Sequence, residues 1–113
     1  MNRIELSRFL DEEQAHALKW YENAKKAVLE SEQNLEAAKS YIESKGKSAT
    51  KEDRALYEDA KALVRETREE LIFFDGVKKG IDAVARQIRD NMAREELANA
   101  GKWVINPIKP RRR

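Results

Sequence analysis

Residues 10–42 read LDEEQAHALKWYENAKKAVLESEQNLEAAKSYI. Stepping alternately by four and three from Leu10 lands on Gln14, Ala17, Tyr21, Ala24, Val28, Ser31, Leu35, Ala38 and Ile42, a heptad stripe along one helix face. Neither Gly nor Pro interrupts it, and the first breaker is Ser44-Lys45-Gly46-Lys47-Ser48. The spacing therefore predicts a helix over 11–44, about 50 Å long at 1.5 Å per residue. Asp11, with Gln14 three positions on, is a candidate cap; Ser7 is an equally good one. Residues 1–10 then either begin the helix early or form a short turn that packs Ile4, Leu6 and Phe9 underneath.

The stripe alternates in size, with Tyr21, Val28, Leu35 and Ile42 in one set and Ala17, Ala24, Ser31 and Ala38 in the other. Small residues let a second backbone come close, so a facing helix can place large side chains over them. The sequence supplies that helix after Thr50-Lys51-Glu52-Asp53, where a Thr cap and two acids suit a helix N-terminus. Its stripe is Tyr57, Ala60, Val64, Thr67, Leu71 and Phe74, and a connection over 45–50 makes the pair antiparallel. Near Phe73-Phe74-Asp75-Gly76 a new phase, Val77, Ile81, Val84, Ile88 and Met92, predicts one helix kinked around 75–80 rather than two. It is expected to end near Ala100, with Gly101 as terminator.

The expected fold class is all-α: a long antiparallel helical hairpin, coiled-coil-like, comprising a single helical domain over 1–101 and an extended basic tail over 102–113. Folding 51 onward back along 11–44 uses the second helix only to about 84. Ile88 and Met92 then lack a partner, which predicts either cover from residues 1–10 or self-association, with a dimer expected.

Composition agrees with a thin helical stack. Charged residues make up 39% of the 113, far above the roughly 25% of ordinary domains. Four Gly and two Pro leave little material for the turns of a β-fold. The absence of cysteine removes thiol chemistry, thiolate metal sites and disulfides. No apolar run approaches the ~18 residues of a membrane span, and the first residues carry no signal-like apolar core. The expectation is a cytoplasmic protein, or one inside an assembled particle, without membrane contact. Net charge is +2, yet 102–113 hold five positives and no acid, which leaves the rest near −3.

Catalytic and metal signals are weak. His16, the sole histidine, stands three residues after Glu13, as in di-iron carboxylate helices, but those sites need a second such pair and two further carboxylates. Gly46-Lys47-Ser48 echoes the end of a phosphate loop, but Tyr41 occupies the leading Gly position and no strand precedes it. Acids come with bases at helical spacing, as in Glu22 with Lys26, Asp82 with Arg86 and Asp90 with Arg94, the pattern of a solvated face. No enzyme activity, cofactor or metal is expected.

The expectation is instead a protein-interaction module, an adaptor, inhibitor or assembly component of the kind phages and mobile elements use. It would bind a larger partner through Ile88, Met92, Trp103, Val104, Ile105 and Ile108, with Lys109, Arg111, Arg112 and Arg113 touching phosphate or an acidic surface. The prolines at 107 and 110 predict an extended tail. Trp20, Tyr21, Phe73, Phe74 and Trp103 are candidate anchors, with Tyr21 and Phe74 on the seams and so candidates for the core. A second reading is an oligomer that clusters its Arg-rich tails to bind nucleic acid.

Overall fold

A computed structural model describes the backbone of residues 1–108 and the side chains of residues 1–100. The element order is α1 (Arg3–Lys45), a 3₁₀ turn (Gly46–Ser48) and α2 (Lys51–Ile108), and α1 and α2 pack antiparallel as a helical hairpin. Among the described residues there is no strand.

α1 begins eight residues before the expected Asp11, because Asn2 caps it. The Asn2 side chain accepts from the Glu5 N–H at 2.8 Å, and its amide donates back to the Glu5 carboxylate at 3.0 Å. Residues 3–10 are thus the first turns of α1, the earlier of the two starts expected from the sequence. At the other end the Gly46 N–H closes on the Ile42 carbonyl, with Gly46 at φ 56, ψ −125, a conformation a side chain disfavours. α2 starts on a reciprocal cap: the Asp53 N–H reaches the Thr50 hydroxyl at 3.1 Å and the Thr50 N–H reaches the Asp53 carboxylate at 2.9 Å.

The register is constant over the whole hairpin. Lys45 meets Asp53, Ser31 meets Thr67 and Arg3 meets Glu95, so these facing residue numbers add to 98 from the turn to the open end. Ala17 accordingly lies opposite Ile81, Ala24 opposite Phe74 and Leu10 opposite Ile88. Leu10, Ala17, Ala24 and Ser31 are buried, and they include the small members of the α1 stripe. Small against large is what draws the two backbones together.

The buried and half-buried residues of α2 include Tyr57, Ala60, Val64, Thr67, Leu71, Phe74, Lys78, Ile81, Ala85, Ile88 and Met92, an unbroken alternation of three and four, with Lys61, Asp75, Val77, Asp82 and Arg89 half-buried beside it. The expected change of phase at 75–80 is therefore absent, and α2 runs on through Gly76 and Gly80 as one hydrogen-bonded helix. Lys78 and Ala85 occupy seam positions where an apolar pattern search finds nothing, while Val84, which suggested the new phase, is 56% exposed. Residues 102–108, expected to be extended, continue the α2 backbone. Gly101 costs a helix interior about 1 kcal/mol, and Pro107 stands at the next-to-last position of α2, where its missing N–H and its ring against the carbonyl four residues back oppose helix by about 3 kcal/mol.

Candidate interaction surface

In heptad letters the α1 seam is a (Gln14, Tyr21, Val28, Leu35, Ile42) and d (Leu10, Ala17, Ala24, Ser31, Ala38), and α2 repeats it from Tyr57 at a and Ala60 at d. The two flanks of this seam differ in chemistry. On the e side, Arg89 bonds Asp11 and Gln14, Arg68 bonds Glu32 at 2.7 Å, and Gln14 donates to Asp82 at 3.0 Å. Asp82 takes Lys78 at 2.8 Å rather than the expected Arg86, which holds the Lys78 ammonium above its ordinary range and the Asp82 carboxyl below its own. This edge is a ladder of charge pairs that closes over the seam.

On the opposite side, positions g and c carry Phe9, Trp20, Tyr41, Leu56, Leu63, Phe73, Val77 and Val84. Trp20 is 48% exposed and Leu56 and Phe73 each 63%, so the aromatic and aliphatic surface on this side faces solvent. At its middle Phe74, from the seam, lies 6.2 Å from Trp20 and 5.2 Å edge-on from Phe73, and His16 stacks on Trp20 at 6.3 Å. Toward the open end of the hairpin a groove of ≈ 520 Å³ is lined by Phe9, Leu10, Glu13, Val77, Gly80, Ile81, Val84, Ala85 and Ile88. Ile4, Leu18, Leu29, Ile72 and Leu97 are also exposed, on other faces of the hairpin.

The residues singled out from sequence separate into three groups. Ile88 and Met92 lie half-buried on the α2 seam; Ile88 faces Leu10, and Met92 lines a shallow pocket with Arg3, Ile4, Ser7, Arg8, Asp11 and Glu96. The early start of α1 supplies intramolecular cover for both, one of the two alternatives expected from the sequence. Trp20, Phe73 and Phe74 come together as one cluster, while Tyr21 sits on the seam with the ammonium groups of Lys25 and Lys78 5.3 and 6.0 Å from its ring centroid. Trp103, Val104, Ile105 and Ile108 fall on the α2 backbone, and Lys109, Arg111, Arg112 and Arg113 lie outside the described residues.

Phe9, which one of the two sequence expectations packs underneath the hairpin, is 46% exposed on this flank, and Leu56, Leu63 and the groove at Gly80 were not singled out from sequence. The signal was available: once a and d are assigned, counting one position to the side shows an apolar g column on both helices. Among the described residues no group of three or more His, Asp or Glu side chains could share a metal ion, and no helix is long and apolar enough to cross a membrane. Comparison with family models, with curated proteins and with solved structures returns no match.

Proposed function

We propose that this chain is a non-catalytic protein–protein interaction module, a small helical adaptor, inhibitor or assembly component that presents a rigid rod to a larger partner. The single observation that carries the reading is the asymmetry of the hairpin: one flank is bridged by interhelical charge pairs and exposes at its e positions only Ile4 and Leu18 among large apolar side chains, and the other leaves Trp20, Tyr41, Leu56, Leu63 and Phe73 open to solvent. Leaving that much aromatic surface in water has no folding benefit, whereas aromatic side chains dominate the energetics of interfaces. α2 extends the same rod to Ile108, and the sequence over 102–113 offers a second, basic contact element.

The test is affinity capture from lysate of the source cells with wild type, Phe73→Glu, Leu56→Glu and a chain lacking residues 102–113. Phe73 and Leu56 are exposed, so both charged variants are expected to keep the far-UV circular dichroism of wild type. A specific partner retained by wild type should be lost, at least about tenfold, by the flank variants. Capture that none of the three changes touches would overturn the reading.

A further inference from the structure

The open flank is acidic as well as apolar. Glu13, Glu30, Glu52, Asp59, Glu66 and Glu70 stand at its g and c positions, and Arg94 is the one lysine or arginine there among the described residues. Two such flanks laid face to face would set carboxylate against carboxylate around a contact that excludes water. The complementary occupant is an apolar segment edged with cations. The chain itself contains one: residues 102–113 combine Trp103, Val104, Ile105 and Ile108 with Lys102, Lys109 and three arginines, and hold no acid. That segment cannot reach its own groove, because α2 continues as helix to Ile108, away from the paired region that ends where Arg3 meets Glu95.

Counting the heptad onward from Arg94 places Gly101 and Ile108 at c and Ile105 at g, the positions that Phe73, Gly80, Val77 and Val84 hold in the groove. We propose that two copies pair about a two-fold axis near the open ends of their hairpins, each laying the end of its α2 antiparallel along the other's acidic, apolar groove. A register with Ile105 opposite Gly80, Gly101 opposite Val84 and Ile108 opposite Val77 sets large against small or apolar against apolar at these three steps, with Ala98 opposite Gln87 and Asn91 meeting Arg94 near the axis. Beyond that register lie Phe73 and the carboxylates of Glu66, Glu69 and Glu70, which surround a second depression on this flank and complement the positive charge that the sequence carries after Ile108. Gly80 offers the slot, since a Cβ built there meets nothing within 4 Å of it in the single chain. The contact is isologous and closes at two copies. This inference rests on reading 102–113 as a docking segment, and it leaves the turn-proximal half of the flank, Tyr41, Leu56 and Leu63, to a larger partner.

Sedimentation equilibrium at micromolar concentration should give twice the 13.1 kDa chain mass for wild type, and a single-chain mass after deletion of residues 102–113. Gly80→Lys fills the slot with a cation facing a basic segment. It should raise the dimer dissociation constant at least about tenfold while leaving helicity intact, because the site is open and Lys is the better helix former. The chain has no cysteine, so Gly80→Cys with Ile105→Cys reports the register directly. Twenty-five residues of one helix hold the two positions about 37 Å apart, which forbids a bridge within a chain, and mild oxidation should yield a covalent dimer. A single-chain mass for wild type, a dimer that survives the deletion, or no cross-link each overturns the pairing. A monomer that still retains a larger partner overturns only the pairing, whereas a dimer that captures nothing overturns only the proposed function.

Discussion

Ser31 and Thr67 are the buried polar residues of the seam, and their hydroxyls lie 2.8 Å apart. Each also lies against a carbonyl one turn back, Val28 at 2.9 Å and Val64 at 3.0 Å. Two hydroxyl protons serve three contacts, so one proton crosses between helices and the other goes to a carbonyl. Removing both hydroxyls together, as in Ser31→Ala with Thr67→Val, leaves no orphaned donor and should change unfolding free energy by less than about 1 kcal/mol in urea titrations. Adding bulk is different. Ala17 is 1% exposed opposite Ile81, and Ala17→Leu should cost about 1–3 kcal/mol by forcing the backbones apart. Charge acts at this scale as well. The Asp53 carboxyl is held below its ordinary range, first by the Thr50 N–H, with the Thr50 hydroxyl and Lys45 adding to it; Asp82 is lowered by Lys78 and then Gln14. A carboxyl lowered on folding stabilises the fold above its unfolded value near ~4 and loses that contribution as pH falls through the lower folded value. Urea midpoints should therefore fall on acidification below about pH 4, and the gap between wild type and Asp53→Asn should be wide at pH 7 and closed in strong acid.

At the scale of the helix, α2 shows why an apolar pattern misleads when a seam position is small or charged. Lys78 and Ala85 belong to the contact stripe by geometry, but only Val77, Val84 and their neighbours announce themselves as hydrophobic. A kink at Gly76 would make that glycine necessary, whereas an unbroken helix makes it a liability. A Cβ at Gly76 meets nothing within 4 Å, so Gly76→Ala should raise stability by up to about 1 kcal/mol, seen as a higher Tm. A fall in Tm on this substitution would mean that the backbone there is not plain helix. The starts of the two helices make a parallel case. Thr50-Lys51-Glu52-Asp53 was legible as a cap and is one, while Asn2-Arg3-Ile4-Glu5 carries an equivalent signal that the stronger apolar stripe beginning at Leu10 obscured.

For the whole molecule the decisive fact is where α1 begins. Starting at Arg3, it covers Ile88 and Met92 and continues the register until Arg3 bonds Glu95 at 3.2 Å and Glu96 at 2.8 Å. Deleting residues 1–9 should uncover that part of α2. Amide exchange over about 85–95 should then accelerate well beyond that over 57–74, and urea unfolding should lose cooperativity. The same length of pairing turns a two-helix hairpin into a rod with two long edges of different character, one bridged by Asp11–Arg89 and Glu32–Arg68 with Ile4 and Leu18 exposed between charges, the other more apolar and acidic. That difference between edges, rather than any single residue, is what the functional proposals stand on.

The amino-acid sequence by itself determined the all-α class, the antiparallel hairpin, the α1 stripe position by position and the site of the turn, because heptad periodicity, a glycine terminator and a Thr cap are local signals read within a few residues. It did not determine the start of α1, the unbroken seam through Lys78 and Ala85, or the open groove at Phe9, Gly80 and Val84. Those depend on which residue of one helix lies opposite which residue of the other. Register is a property of two segments packed together, and only packing reveals that an alanine is a contact and that a valine is left in water.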